Sequence, residues 1–160
     1  MIILDKFSFS GKRTDFIEVL FEKFQSKDKY DIILANHVME HVSEPLETLK
    51  NLCSRSLKQG GIVRLNVPNG WDIKNRLKIQ DWNAEKGSSN SLTPVAPLEH
   101  INCFNYKSLT ALGKNAGLEP VIIDQKIPFT MKGKIKSFVK PYYIRLTKRK
   151  STLLYFRKPY

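Results

Sequence analysis

An α/β fold built on a mainly parallel sheet is predicted by three features of the sequence. A short apolar run, Asp31-Ile32-Ile33-Leu34-Ala35, follows the polar Lys27-Asp28-Lys29. An amphipathic segment runs from Ser43 to Leu57, and a second apolar run, Ile62 to Val67, stops at Pro68-Asn69-Gly70. Strand, helix and strand in that order form the crossover unit of a parallel pair. Such units are nearly always right-handed and bind ligands beyond the carboxyl ends of their strands.

The first run reads as a strand buried on both faces, because its apolar residues are continuous rather than alternating. Ser43-Glu44-Pro45 punctuates the chain before a helical period can develop there. Ser43 is expected to cap the helix that follows, with Pro45 tolerated in its first turn and Glu44 and Glu47 at the positive end of the helix dipole. Leu46, Leu49, Leu52, Cys53 and Leu57 recur at helical spacing and form one stripe that can lie on a sheet. Lys58 suits the carboxyl end, and Gly60-Gly61 is expected to stop the helix in left-handed geometry. Polar residues Asn36 to His41 and Asn66 to Asn69 then fall where a sheet of this kind holds its ligand.

Further strands are expected near 16–20, 119–125 and 151–157. Between Trp71 and Leu92 the chain is polar, helical from Asp72 to Gln80 and loop from Gly87 to Ser91, with Trp71 and Trp82 suited either to a lid or to a hydrophobic plug. Asn105 is placed to cap a helix whose buried face is Leu109, Leu112 and Ala116 and whose stop is Gly117. Ile2-Ile3-Leu4-Asp5 reads as a strand ending in an acid. It stands only ten residues before Phe16, which leaves little room for a crossover helix.

With 160 residues, 41% of them hydrophobic, one domain spanning 1–160 is expected. No stretch approaches the roughly 20 apolar residues that cross a bilayer, and the start MIILDKFSFS lacks the pattern of a signal peptide, so a cytoplasmic location is expected. Cys53 and Cys103 are too few for a disulfide framework and read as two buried thiols, and no Cys-x-x-Cys pair suggests structural zinc. The net charge is +12. Nine cations and no acid fall within 126–150, leaving eighteen basic against fifteen acidic residues elsewhere. Lys126 to Lys150 therefore reads as a basic insertion. Ile135, Phe138, Val139, Tyr142 and Leu146 recur there at near-helical spacing, which fits an amphipathic helix on an anionic membrane surface or a cover whose lysines are solvated. Nucleic acid is disfavoured as a partner, since no reader motif accompanies the charge.

The blocks YDII-x-x-x-HVMEHVSEPL, LKQGGIV-x-LNVPN and PLEHINCF, followed by Ser108-Leu109 and Ala116-Gly117-Leu118, resemble the second half of class I S-adenosylmethionine-dependent methyltransferases over residues 16 to 125. The resemblance implies an incomplete Rossmann-like methyltransferase sheet, mainly parallel with an antiparallel C-terminal edge strand. It implies S-adenosylmethionine as cofactor and methyl transfer to an oxygen or nitrogen of a small or lipid-linked acceptor. Asn36, His37, Val38, Glu40 and His41 would line the cofactor or acceptor side, with Asn66, Pro68 and Asn69 bordering the cleft. His100 and His41 are the candidate catalytic residues, His100 as general base or as a loop anchor. No metal is expected, the one conceivable set being His37, Glu40 and His41, whose counterparts hold a divalent ion in some quinone O-methyltransferases. Read alone, His37-Val38-Met39-Glu40-His41 also fits the inverted zinc-peptidase motif, but the strand before it and Pro45 after it leave no long helix to carry that chemistry.

One departure from the family is an absence. The eight glycines stand at 11, 60, 61, 70, 87, 113, 117 and 133, and no two have the i, i+2 spacing of the turn that lets a helix end approach the cofactor. The chain is therefore expected to be an N-terminally truncated domain. The competing expectation is a non-catalytic remnant or interaction domain that has lost cofactor binding. In the family an acid ending the second strand binds the cofactor ribose, and Asp5 is the candidate here, with a remnant strand as the competing reading.

Overall fold

The computed structural model describes residues 2–5, 16–19, 28–96, 98–122 and 151–160, the first two stretches by backbone alone. In chain order the elements are β1 (Ile2–Asp5), β2 (Phe16–Val19), β3 (Tyr30–Asn36), α1 (Pro45–Ser56), β4 (Leu57–Pro68), α2 (Ile73–Ile79), a 3-10 turn at Thr93–Val95, α3 (Tyr106–Asn115), β5 (Glu119–Val121) and β6 (Ser151–Arg157). The insertion at 126–150 and the amphipathic pattern read in it lie outside the described residues.

Strands β3, β4, β6 and β5 form a four-stranded sheet in that order. β3 and β4 are parallel, joined by the expected crossover through α1, while β6 runs antiparallel to both β4 and β5. The C-terminal strand is thus the antiparallel one, as expected, but β5 lies outside it and takes the edge. β2 does not join this sheet. It pairs antiparallel with β1 in a separate two-stranded ribbon, Asp5 opposite Phe16. The ten-residue connection is too short for a crossover helix yet ample for a hairpin loop. Asp5 therefore does not end a strand of the four-stranded sheet, and the ribose role expected for that position has no support here.

The ends of α1 differ from the sequence expectation. Glu44, not Ser43, occupies the cap position, and Pro45 opens the helix where its missing N–H costs nothing. The helix ends at Ser56 and the chain enters β4 directly, because Leu57 pairs with Tyr30. From there Tyr30 and Ile32 of β3 face Leu57 and Ile62 of β4, so the residues between are taken up as an irregularity. Gly60 does adopt a left-handed φ of 72°, but inside the strand rather than at a helix stop. Tyr160 lies so close that a Cβ at Gly60 would come within 2.8 Å of its ring. Lys58 serves the strand too, its ammonium bridging Asp31 of β3 at 2.9 Å. The carboxyl end of α1 is satisfied from elsewhere: Lys158 Nζ donates to the carbonyls of Cys53 (2.7 Å) and Leu57 (3.0 Å).

The core lies on one face of the sheet. Ile33, Ala35, Val63, Leu65, Val67 and Phe156 pack with Leu49, Leu52 and Cys53 of α1 and Leu109 and Leu112 of α3. Asn105 caps α3 as expected, its side chain accepting from the Ser108 amide while Ser108 Oγ accepts from the Asn105 amide. The other face differs from the two-sided burial expected of β3. Ile32 is 61% exposed and Leu34 45% exposed, giving the alternation of a strand covered on one side. Helices α1 and α3 pack on the opposite side of the sheet. Among the described residues no helix is long and apolar enough to cross a membrane.

The approach of α3 to β6 is close enough to require glycine. A Cβ at Gly113 would stand 2.2 Å from Phe156 Cε1. Gly113→Ala is expected to lower stability by about 1–3 kcal/mol through overpacking, against a helix-propensity gain of about 1 kcal/mol. Urea unfolding would show the loss, and Phe156→Leu in the same chain should reduce it.

Burial pushes the Cys53 thiol up to about 12, opposed in part by the Lys158 ammonium. The unfolded thiol ionises near 9.0, so between these values the folded chain holds the extra proton and stability falls as pH rises. At pH 10.5 the wild type should have lost about 2 kcal/mol more than Cys53→Ala, relative to pH 8, in urea unfolding at the two pH values.

Candidate functional site

The site grows from the carboxyl ends of β3 and β4. Asn36, the last residue of β3, pairs with Asn66. His37 then leaves the strand with φ 52°, a left-handed conformation that a non-glycine residue rarely holds, fixed by its amide donating to Asn66 O at 2.8 Å. That turn sends residues 38–42 back toward the core. Val38, Met39 and Val42 are buried among the core side chains, and the His41 amide closes the turn on Val38 O at 3.0 Å. Val38, expected beside the cofactor, thus commits its side chain to packing.

Glu40 is carried into the interior by the same turn and is 1% exposed. Its Oε1 accepts from His37 Nδ1 at 3.1 Å and lies 4.0 Å from His41 Nε2. Its Oε2 has no hydrogen-bond partner among the described residues. Buried carboxylate oxygens are nearly always satisfied, so this oxygen is the one placed to accept from or ligate a further group.

A second loop, some sixty residues later, completes the site. Glu40 O accepts from the amides of Ile101 (3.0 Å) and Asn102 (3.1 Å), and Asn102 Nδ2 donates to Val42 O at 2.6 Å. These bonds bring His100 against His41, with ring centroids 4.8 Å apart and planes at 61°. Each imidazole donates Nδ1–H to a backbone carbonyl, His41 to Glu99 O at 2.6 Å and His100 to Thr93 O at 2.5 Å. In the neutral ring that leaves each Nε2 as a lone pair. One ligand-type atom from each of Glu40, His41 and His100 lies within 4.8 Å of the others. His37 is not in that converging set, which differs from His37, Glu40 and His41, the one set conceivable from a sequence that predicts no metal.

His37 and His100 line one cleft of about 320 Å³, together with Pro68, Asn69, Trp71 and Arg76. That is near the lower end of small-molecule sites. The Arg76 guanidinium shapes the wall, donating to the carbonyls of Ser91 (2.9 Å), Asn69 (3.0 Å) and Trp71. Trp71 and Trp82 are both exposed, so neither is a buried plug, and Trp71 is the one on the cleft. Cys103, expected buried, is exposed, since the chain runs along the surface before α3.

Sequence reasoning found Pro68, Asn69, His41 and His100 but missed Arg76, Thr93 and Glu99. The last two act through backbone carbonyls, which no side-chain pattern reports. Arg76 stands on a short helix within a segment that the sequence marks only as polar.

The family model described as a methyltransferase domain matches residues 6–122. No curated protein matches the chain. Among solved structures, a chain of the complex between the Haloferax volcanii Trm112 methyltransferase activator and a protein titled a methyltransferase is similar at TM-score 0.52 and 16% identity. The match covers 88% of this chain and 59% of that one. The [4+2]-cyclase SpnF is similar at TM-score 0.52 and 17% identity, covering 91% of this chain and 57% of that one. The chain therefore spans less than two thirds of either structure, and at these identities the likeness is one of fold.

Asn102 holds the two loops together through both backbone and side chain. Asn102→Ala is expected to cost about 1–3 kcal/mol, because the Val42 carbonyl loses its donor. Amide hydrogen exchange should show protection lost first at Ile101 and His41.

Proposed function

The chain belongs to the methyltransferase domain family, and from that premise we propose that it takes part in methyl transfer from S-adenosylmethionine to an oxygen or nitrogen of a small or lipid-linked acceptor. The observation that carries this reading is the meeting of polar side chains from the ends of two parallel strands, β3 and β4, with His100, one of the histidine pair, on a cleft of ligand size. Open α/β sheets bind ligands at that place.

When bound, S-adenosylmethionine would supply an electrophilic methyl group, which would pass in line to the acceptor's lone pair as the methyl–sulfur bond breaks and S-adenosylhomocysteine is released. Most of the acceleration in such a displacement comes from holding the two reactants in contact and alignment. Asn36, His37 and the backbone of Val38 stand at the β3 end, where the cofactor is assigned. The acceptor is assigned to the cleft, its reacting atom beside the His41 and His100 pair where its proton is given up. The lipid-linked option, with a peripheral membrane location, rests on the nine cations of 126–150.

A second reading, a non-catalytic interaction domain, is favoured by two observations. No glycine pair has the spacing of the cofactor turn, and the outer face of β3 presents Ile32 and Leu34. The Haloferax volcanii complex pairs its methyltransferase with an activator protein, and under this reading a protein partner covers Ile32 and Leu34 here.

Calorimetric titration with S-adenosylmethionine and S-adenosylhomocysteine separates the two. Micromolar binding, about −8 kcal/mol, is expected if the site is used for methyl transfer. No binding by a folded sample would leave the interaction domain. Where turnover of an acceptor is found, His100→Gln should lower kcat by about 100-fold to 10,000-fold while leaving cofactor affinity unchanged, a split read from steady-state rates and calorimetry together.

A further inference from the structure

We propose that Glu40, His41 and His100 form a binding site for one divalent transition-metal ion, beside the cleft that His100 lines. Four observations carry it. The three side chains already place a ligand atom each within 4.8 Å of one another. Both imidazoles have Nδ1 tied to backbone carbonyls, which fixes the tautomer whose Nε2 lone pair is free to ligate. That is the arrangement by which outer groups orient metal-binding histidines. The Glu40 carboxylate is buried and keeps one oxygen, Oε2, without a hydrogen-bond partner among the described residues, while His37 holds the other. An ion would satisfy that oxygen and offset the cost of burying the charge.

The donor set selects the ion class. Two imidazoles and one carboxylate suit zinc, cobalt, iron or manganese, whereas magnesium and calcium favour oxygen-only surroundings. At a tetrahedral ion with bonds of about 2.0–2.1 Å, ligand atoms stand about 3.4 Å apart. The cluster reaches that by side-chain rotation of about 1 Å, which the exposed His41 ring permits. Three protein ligands leave a coordination position open, and because His100 also lines the cleft, that position faces a bound molecule.

The site deepens the methyl-transfer reading and rests on it only for its consequence. An acceptor hydroxyl binding at the open position would lose its proton more readily there, so the two histidines would serve as ligands while the acceptor's oxygen is activated. Binding of the ion itself needs no cofactor.

The test is titration of the purified chain with CoCl₂ in the absence of S-adenosylmethionine, followed by visible absorption. One Co²⁺ per chain with d–d bands of a low-coordinate site is expected. His41→Gln and His100→Gln, both at the surface end of the cluster, should weaken binding at least about tenfold. His37→Gln should keep the spectrum and the stoichiometry, with circular dichroism confirming that each variant is folded. Absence of the bands at millimolar Co²⁺ would overturn the proposal. So would bands that survive both His41→Gln and His100→Gln, or bands abolished by His37→Gln and retained in His100→Gln. Co²⁺ binding and cofactor calorimetry can each succeed or fail alone, so the two readings are judged separately.

Discussion

The carbonyl oxygen of Glu40 accepts from two amides of another loop, those of Ile101 and Asn102, and the site depends on that junction. Two loops sixty residues apart have no intrinsic reason to meet, since ordering them costs backbone entropy of about 1–2 kcal/mol per residue. The core supplies the reason. Val38, Met39 and Val42 are anchored by packing, so the turn that carries Glu40 is held from the core side as well as by the second loop. The second loop needs only to satisfy carbonyls that would otherwise be buried unpaired. His41 and His100 meet as a result of that pairing, each ring then held by a carbonyl of the second loop.

The sheet shows a related economy. Its edge strand β3 and the neighbouring β4 are parallel, the arrangement that brings two strand ends and their polar residues to one side. The antiparallel β6 then closes against β4 and is followed directly by Lys158, which satisfies carbonyls at the end of α1. This C-terminal segment thus ties the helix terminus, the sheet and, through Phe156 against Gly113, α3. Packing on a single face leaves Ile32 and Leu34 exposed, a surface that parallel sheets ordinarily cover.

Fold and reaction are separate questions in this family of shapes. One solved structure of similar fold is titled a [4+2]-cyclase, so a sheet of this form serves more than one chemistry. What distinguishes this chain is local: a buried acid with one oxygen unpartnered among the described residues, two histidines held in one tautomer, and a cleft walled by an arginine that donates to backbone carbonyls. Those features bear on proton and ligand chemistry directly, whereas the sheet bears only on where that chemistry sits.

Much of the fold was legible in the sequence because its signals are local. The crossover from β3 through α1 to β4, the Asn105 cap and the stop at Gly117 follow from apolar period, turn residues and capping chemistry within about ten positions. The acid and histidine after β3 were legible as a motif of types and spacing. The direct passage of α1 into β4 was decided by Tyr30 pairing with Leu57, and the exposure of Ile32 by which face the helices took. The desertion of β2 to a ribbon with β1 was decided by strand pairing, though the ten-residue spacing that forbids a crossover helix was visible beforehand. Above all, the convergence of His100 on Glu40 and His41 was decided by backbone hydrogen bonds between distant loops. Backbone amides and carbonyls are the same in every residue type, so a sequence carries no mark of which of them will pair.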